Sequence, residues 1–290
     1  MADVKVGLMF ANSIFPDANA ADFGRAAEAA GFESVWTVEH VLWPEGYEST
    51  YPYAETGRMP GDHRSVIPDP LTWLTYVGAK TETIKLATGI LILPQRNPAV
   101  LAKEVATIDM LTGGRLMLGI GVGWLEEEFD ALGVPFKARG RRSDEYVDVM
   151  RSLWSAGDEG GASHDGEFMS FANLHSNPKP GGGAVPIHVG GHSRKAAERA
   201  GYLGDGFFPG AGDIPELIDV MRQTAADNGR DAGAIEVTAG HPGLFGDDPQ
   251  AALEELDSWG VHRTHVPAFA LGRGDVAENC GVWAEKLGLG

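Results

Sequence analysis

Residues 84–124 read IKLATGILILPQRNPAVLAKEVATIDMLTGGRLMLGIGVGW and contain a strand pattern, a helix pattern and a second strand pattern in turn. The first strand is expected at residues 84–93. Asn97-Pro98 then supplies a helix N-cap and a proline at the first helical position. An apolar stripe at helical spacing follows at Leu101, Val105, Ile108 and Leu111. A glycine pair ends the helix and residues 115–120 form the second strand, so the unit predicts two parallel strands joined by a helical crossover.

The same alternation of strand and helix runs through the rest of the chain. Further strands are predicted at residues 4–10, 33–38, 187–189, 205–208, 234–239 and 263–266. Helix N-caps are predicted at Asp69, Ser193 and Asp213. Eight strands alternating with helices are typical of an α/β fold of the (βα)8 TIM barrel type, with inserted loops at the carboxyl-terminal face. A doubly wound open sheet has the same local rhythm, but no linker divides residues 1–290, which favours one barrel domain.

The composition excludes several classes of partner. The chain has 23 Lys and Arg against 41 Asp and Glu, a net charge of −18, and such a surface repels nucleic acid and anionic lipid. No apolar run is long enough for a membrane span. The single cysteine, Cys280, excludes an internal disulfide framework and a cysteine metal cluster. These features predict a cytoplasmic protein that acts on a small molecule.

Polar residues that directly follow predicted strands are the candidates for chemistry, because a barrel gathers its site at the carboxyl ends of its strands. Glu39 and His40 follow the second strand, and a histidine there can exchange a proton near neutral pH. Residues 40–68 form a long aperiodic loop, as expected of a lid. An aromatic wall suited to a planar ligand is expected around it from Trp36, Trp43, Tyr47, Tyr51, Tyr53 and Trp73.

Glycine-rich turns follow three other strands. The spacing of Gly119, Gly121 and Gly123 is G-x-G-x-G, which differs from the dinucleotide-binding G-x-G-x-x-G. These glycines are expected to let a flat ligand lie against the backbone beside Trp124. The amides of Gly190, Gly191 and His192, at a helix N-terminus, are candidates for binding a phosphate, with Gly210, Ala211 and Gly212 as further donors.

The sequence gives no pattern for a metal site or a nucleophilic enzyme. His188 and His192 straddle a strand end and a Gly-Gly turn, and there is no H-E-x-x-H motif. A G-x-S-x-G motif is also absent from the sequence. We therefore expect no metal.

Several of these stretches together resemble the luciferase-like superfamily of flavin- or deazaflavin-dependent oxidoreductases, and in particular its coenzyme F420 branch. The resemblance covers about residues 4–210 and rests on residues 36–40, 86–91, 96–104, 109–115, 119–129, 190–193 and 204–207. It implies a (βα)8 barrel whose cofactor ring lies at the carboxyl-terminal mouth. It also implies a homodimer formed through helices near the early strands.

The resemblance assigns roles to individual residues. It implies a bulge in the third strand at Gly89, Ile90 and Leu91, with a non-proline cis peptide at Gly89–Ile90, against which the ring lies. It places Glu39 and His40 at the ring, with a role in proton transfer.

The resemblance predicts an F420-dependent oxidoreductase that transfers a hydride, and an FMN-dependent monooxygenase is the alternative on the same barrel. A cofactor-binding protein without activity is a third possibility. The chain has Glu39 where F420 dehydrogenases have Asp, and Trp124 where sugar-phosphate members have Glu. We therefore expect a flatter and less charged substrate than a sugar phosphate.

Overall fold

The fold was analysed in a computed structural model, which describes residues 3–157 and 159–289. The strands in this part of the chain are β1 Lys5–Met9, β2 Ser34–Thr37, β3 Lys85–Thr88, β4 Leu91–Ile92, β5 Leu116–Gly121, β6 Ala162–Asp165, β7 Ser170–Leu174, β8 Ile187–Gly190, β9 Gly206–Phe208, β10 Glu236–Val237 and β11 Arg263–Pro267. The helices are α1 Ala11–Ile14, α2 Ala20–Ala29, α3 Pro70–Gly78, α4 Pro98–Leu111, α5 Glu126–Ala131, α6 Arg139–Ser155, α7 Arg194–Leu203, α8 Ile214–Asp227, α9 Pro249–Ser258 and α10 Val276–Leu287.

The parallel strands close into a barrel, as the sequence predicts. Their order is β10-β9-β8-β5-β3-β2-β1-β11, with β4 continuing β3 beside β5. A parallel bridge between Thr238 and Arg263 joins the two ends of this series. The Ala239 amide also donates to the Arg263 carbonyl at 3.0 Å. This closure rules out the open doubly wound sheet.

Local capping chemistry forms the helices at the predicted places. The side chain of Asn97 accepts from the amides of Ala99 and Val100, and Pro98 occupies the first turn of α4. The predicted caps Asp69, Ser193 and Asp213 likewise accept backbone amides at the starts of α3, α7 and α8.

Two details differ from the sequence-based expectation. The predicted third strand, residues 84–93, is split into β3 and β4, and the Gly89–Ile90 peptide between them is cis, as the resemblance implies. Leu111 does not belong to the buried stripe of α4, since it lies at the end of the helix and is 66% exposed. The hairpin that the alternation of residues 167–171 predicts is present as the antiparallel pair of β6 and β7.

Large side chains fill the inside of the barrel below its mouth. We call Met9, Trp36, Ala87, Met117 and Phe208 the interior cluster, against which Phe10, Val38 and Ile90 pack from above. All five are buried, so the barrel is a packed core with a mouth at its carboxyl-terminal end. Trp36 therefore belongs to this core, and Trp73 packs against Phe23 instead of joining the lid.

Candidate active site

His40 and Glu128 form a buried pair at the carboxyl end of β2. Nδ1 of His40 lies 3.0 Å from Oε2 of Glu128, which is fully buried. The other oxygen, Oε1, accepts the amides of Val41 at 2.6 Å and Leu42 at 3.0 Å. Burial raises the pKa of Glu128, but the His40 ring and these backbone donors outweigh it and hold the pKa below its usual value. An ionised carboxylate is an acceptor only, so the ring nitrogen that faces it, Nδ1, carries a proton, and in the neutral ring Nε2 is then the nitrogen with the lone pair.

Glu39 is held by the neighbouring strand. Its carboxylate pairs with the Arg96 guanidinium and accepts the Ile92 amide at 2.5 Å. Arg96 also binds Asp69, the N-cap of α3, at 2.8 Å. Burial raises the pKa of Glu39, and Arg96 opposes that shift. Of the predicted catalytic pair, His40 alone keeps a free functional atom, while Glu39 ties the end of β2 to β4.

Glycines make a notch for the side chain of Ile90, the second residue of the bulge. A Cβ on Gly121 would lie 2.3 Å from Ile90 Cδ1, and one on Gly190 would lie 2.5 Å from Ile90 Cγ2. A Cβ on Gly119 would collide with the Thr88 carbonyl at 1.8 Å. The expectation that these glycines open space for a ligand therefore needs correction, since the space beside their Cα atoms holds Ile90.

The other bulge residues are placed differently. Gly89 donates its amide to the Thr37 carbonyl at 2.6 Å, which joins the bulge to β2. Leu91 is fully buried in the layer between strands and helices, so only its main chain is left for the predicted cofactor contact. Gly123 has a φ of 78°, and the space beside it holds Phe129 and Ile92. Of the three bulge residues, Gly89, Ile90 and Leu91, Ile90 is the one that is partly exposed.

A row of aromatic rings runs from His40 to the start of α7. Trp124 lies 5.7 Å from the His40 ring centroid and 5.2 Å from that of Tyr51. Tyr51 lies 5.4 Å from Tyr53, which in turn lies 4.9 Å from His192. We call Trp124, Tyr51 and Tyr53 the aromatic row. It confirms that the lid loop, residues 40–68, is lined with rings, to which Tyr47 adds a contact with Trp124 at 5.4 Å.

The predicted phosphate-binding turns are partly occupied by the protein itself. The Gly191 amide donates to the Phe208 carbonyl at 3.1 Å, so it is not free for an anion as expected. The following residues, His192 to the first turn of α7, present the positive end of that helix. Tyr53 packs on Gly210, since a Cβ on Gly210 would lie 2.7 Å from the Tyr53 ring. Ala211 is partly exposed and Gly212 is exposed. The anion candidate therefore moves from the glycine pair to the helix terminus.

Two polar clamps fix the lid loop over the mouth. Glu127 accepts the amides of Glu48 and Ser49 at 2.6 and 3.0 Å, and the Ser49 hydroxyl at 2.7 Å. These bonds outweigh the effect of burial and lower the pKa of Glu127 to about 2. Asn12 is fully buried and bonds both main-chain groups of Val38 and the Pro68 carbonyl, each at 2.9 Å. The loop is thus anchored near its middle and at its end.

Sequence reasoning identified His40 but not the residues that fix it. Glu128 is 88 positions away and stood only as part of the family pattern, and Glu127 and Asn12 gave no separate signal. Arg96 likewise stood only within residues 96–104, one of the stretches that carry the family resemblance. Helix α5 begins with three consecutive glutamates, and Glu128 is the one that is fully buried. The sequence shows the three glutamates, but only the structure shows which of them contacts His40.

Other binding features lie elsewhere or are absent from residues 3–157 and 159–289. Within those ranges no group of three metal-type ligands exists, and no helix is long and apolar enough to cross a bilayer. A cavity of about 470 Å³ lies between Arg151, Val185 and Asp205, at the opposite end of the barrel from the strand ends described above. Another, of about 670 Å³, is an open groove between α7 and α8.

Comparison with known proteins identifies the family. Residues 6–281 match the luciferase-like monooxygenase family, and the chain belongs to it. It is 31% identical over 267 residues to an F420-dependent glucose-6-phosphate dehydrogenase of Kineococcus radiotolerans, covering 88% of this chain and 72% of the relative.

Two solved structures share the fold over nearly the whole chain. One is the monooxygenase RslO1 from Streptomyces bottropensis, with a TM-score of 0.74 and 20% identity over 98% of each chain. The other is a coenzyme F420 dependent tetrahydromethanopterin reductase from Methanopyrus kandleri, with a TM-score of 0.71 and 17% identity over 99% of this chain and 98% of that one. These two matches show the shared fold, while the family model and the dehydrogenase relative show that the family consists of oxidoreductases, monooxygenases among them.

Proposed function

We propose that this protein is an F420-dependent oxidoreductase, which transfers a hydride between the deazaflavin and a small organic substrate. The observation that carries the proposal is the His40–Glu128 pair at the mouth. Hydride transfer to or from an alcohol carbon requires a proton to leave or join its oxygen, and a carboxylate-oriented imidazole is suited to that step. The identity with an F420-dependent dehydrogenase supports the same cofactor.

The residues present fit a long cofactor with a flat ring at one end and a phosphate further along. Val38, Ile90 and Trp124 are partly exposed and offer an apolar rim for a ring. The aromatic row continues from there to the start of α7. That helix terminus, with exposed Arg194 and Lys195 in its first turn, would hold the phosphate.

The bound deazaflavin would supply the carbon that gives or takes the hydride. Nε2 of His40 accepts the hydroxyl proton of an alcohol substrate, while Glu128 stabilises the imidazolium that results. In the reverse direction the same nitrogen returns that proton to the carbonyl oxygen. Glu39 and Arg96 hold the end of β2 against the bulge, which fixes the backbone that carries His40. The lid loop excludes water through its clamps to Glu127 and Asn12.

An FMN-dependent monooxygenase is the second candidate. It is supported by the match of residues 6–281 to the luciferase-like monooxygenase family. The same mouth would hold the flavin ring, and the same helix terminus its phosphate. The two candidates differ in the need for oxygen.

The test is turnover with and without oxygen. We expect purified protein to reduce F420 anaerobically with a secondary alcohol from a screened panel. His40→Ala should lower kcat by about 10²- to 10⁴-fold, the usual contribution of a general base, and leave the F420 dissociation constant within about threefold. Product formation only with reduced FMN and oxygen would establish the second candidate instead. An unchanged kcat in His40→Ala would remove the assigned base.

A further inference from the structure

One arc of the mouth is not used by the cofactor assignment above. It lies at the carboxyl ends of β9, β10, β11 and β1, which are consecutive around the closed barrel. We call five residues of this arc the distal rim: Phe10, Phe208, Gly240 and Phe269, at or just beyond strand ends, and His265, two residues inside the end of β11 and opposite Gly7 of β1. The rings of Phe10 and Phe269 lie 6.1 Å apart, and those of Phe208 and His265 lie 5.3 Å apart at 89°.

His265 is a polar side chain without a protein partner at this rim. Neither ring nitrogen is hydrogen-bonded within residues 3–157 and 159–289, and Nδ1 is fully buried, whereas Nε2 reaches the surface. A Cβ on Gly240 would lie 3.2–3.3 Å from the Cε1–Nε2 edge, so glycine leaves that edge open. Unpaired polar groups in such positions are uncommon and call for a partner from outside the protein.

The state of the ring follows from its surroundings. Burial lowers the pKa of His265 to about 4, so the imidazole is neutral at physiological pH. A proton on Nε2 leaves an acceptor at buried Nδ1, and an unpaired buried acceptor is tolerated better than an unpaired buried N–H. Nε2 is then a neutral hydrogen-bond donor on the ring edge beside Gly240.

The rest of the distal rim is apolar and held in place. Phe10 adopts a left-handed conformation with φ of 62°, which is rare for a bulky residue, and its carbonyl accepts the Ser13 amide and hydroxyl. Phe269 is 60% exposed, although it is a large apolar side chain beside the mouth. Phe10 and Phe269 thus place two neighbouring apolar rings, one partly and one largely exposed, where β1 and β11 end.

The distal rim also lacks the cations that an anionic substrate needs. In the segments that follow β1, β9, β10 and β11, namely residues 10, 209–213, 238–248 and 268–275, the only Lys or Arg is Arg273. Phosphate monoesters are recognised by clusters of Arg and Lys or by helix N-termini. Phe10 and Phe269 in these segments supply rings instead, and His265 on the adjoining strand β11 supplies the neutral donor.

We propose that the distal rim binds an uncharged, largely apolar carbonyl compound, with Nε2 of His265 donating a hydrogen bond to its oxygen and Phe10, Phe208 and Phe269 enclosing its hydrocarbon part. The proposal rests on the proposed oxidoreductase function and names its substrate class. It sets this chain apart from the relative that acts on glucose 6-phosphate.

The test uses acetophenone and glucose 6-phosphate as probes of the full chain labelled with ¹⁵N-histidine, alone and loaded with F420. Acetophenone should shift the His265 Nε2 resonance saturably. His265→Leu should weaken acetophenone binding about tenfold. His265→Gln should retain most of the affinity, because the glutamine amide can donate the same hydrogen bond. Phe269→Ala, at an exposed position, should weaken acetophenone binding severalfold. His175→Leu, at an exposed histidine far along the chain, is the matched control.

Three outcomes overturn the proposal. They are no saturable shift at His265, wild-type acetophenone affinity in both His265→Leu and Phe269→Ala, or tighter binding of glucose 6-phosphate than of acetophenone by the wild-type protein. F420 binding, followed in the same samples, separates this result from the cofactor assignment. F420 bound with no shift at His265 contradicts the distal rim alone. A shift at His265 without F420 binding supports the rim and contradicts the cofactor.

Discussion

Glu128 does more than any other residue to define what His40 can do. Its two carboxylate oxygens have different partners. Oε2 orients the His40 ring, and Oε1 accepts the backbone amides of Val41 and Leu42. A carboxylate in this position fixes which ring nitrogen is protonated. An amide in its place could donate to Nδ1 and reverse that choice.

We therefore predict that Glu128→Gln lowers kcat of the F420-linked reaction by at least tenfold and shifts the pH at which the rate is half-maximal. The matched control is Glu126→Gln, two residues earlier in the same helix and exposed, which should keep kcat within about twofold. Steady-state rates from pH 5 to 9 measure both effects. Equal kcat and equal pH profiles in the two variants would show that Glu128 has only a structural role.

For individual residues, the sequence predicted which side chains belong to the candidate site better than it predicted which side chains contact each other. His40 stands out because it follows a strand and opens a long loop. Its contact with Glu128 depends on the closure of the barrel, which brings α5 beside the end of β2, and no local pattern encodes that. Glu39 is the converse case: its place beside His40 predicted a role in chemistry, which stays a prediction, and the structure adds the contacts of its carboxylate with Arg96 and Ile92.

Among the elements, the lid loop depends on a few polar contacts. Glu127 has a pKa of about 2 in the folded protein against an ordinary value of 4.5. A lowered pKa stabilises the folded arrangement fully above pH 4.5, and that contribution is lost as the pH falls through 2. Protonation of Glu127 removes the acceptor for Ser49 and Glu48.

We predict that hydrogen exchange in the lid loop, corrected for its intrinsic pH dependence, stays slow from pH 7 to about 4.5 and quickens progressively below that. In Glu127→Gln the exchange should be faster at pH 7 and should not respond to this pH window. Mass spectrometry of peptides from residues 44–60 reads the effect directly. A wild-type loop whose protection is constant down to pH 2 would contradict the clamp.

Asn12 anchors the other end of the same loop. Asn12→Ala removes its hydrogen bonds and leaves the Val38 amide, the Val38 carbonyl and the Pro68 carbonyl without their partner. We predict a loss of about 3 kcal/mol in the free energy of unfolding, from the desolvation of buried groups. Urea unfolding measures it, with exposed Asn19→Ala expected within about 0.5 kcal/mol of wild type as the control. A loss below 1 kcal/mol for Asn12→Ala would mean that water replaces the side chain.

The elements themselves follow closely from local chemistry. The starts of α3, α4 and α8 could be predicted from an Asn or Asp N-cap followed by a proline in the first turn. The cap side chain accepts a free backbone amide, and proline fits the first turn of a helix. The split of the third strand did not follow from the residues alone, since its apolar pattern continues through the bulge. The family resemblance supplied that feature, and the glycines packed around Ile90 give its physical basis.

At the scale of the whole molecule, the alternation of strands and helices predicted the barrel, but its closure required the bridge between Thr238 and Arg263. The homodimer remains a prediction. Val100, Met110 and Leu111 on α4 are each at least 50% exposed, and this helix follows an early strand. We propose that a second copy of the chain covers them.

Sedimentation of the purified protein at micromolar concentration should then give a dimer, and Leu111→Glu should give a monomer because it places a charge in an apolar contact. Met110→Gln offers a milder variant that weakens the dimer without a buried charge. A wild-type monomer across this concentration range would remove the proposal and leave the exposed side chains as ordinary surface.

The choice of cofactor is best settled by parallel thermal unfolding of the purified chain with F420 and with FMN, each titrated over the same concentrations. A ligand at 100 times its dissociation constant adds ~2.7 kcal/mol to the free energy of unfolding. We predict that F420 raises the unfolding temperature at concentrations at least tenfold lower than FMN does. An equal or larger response to FMN would contradict the assignment of this mouth to a deazaflavin.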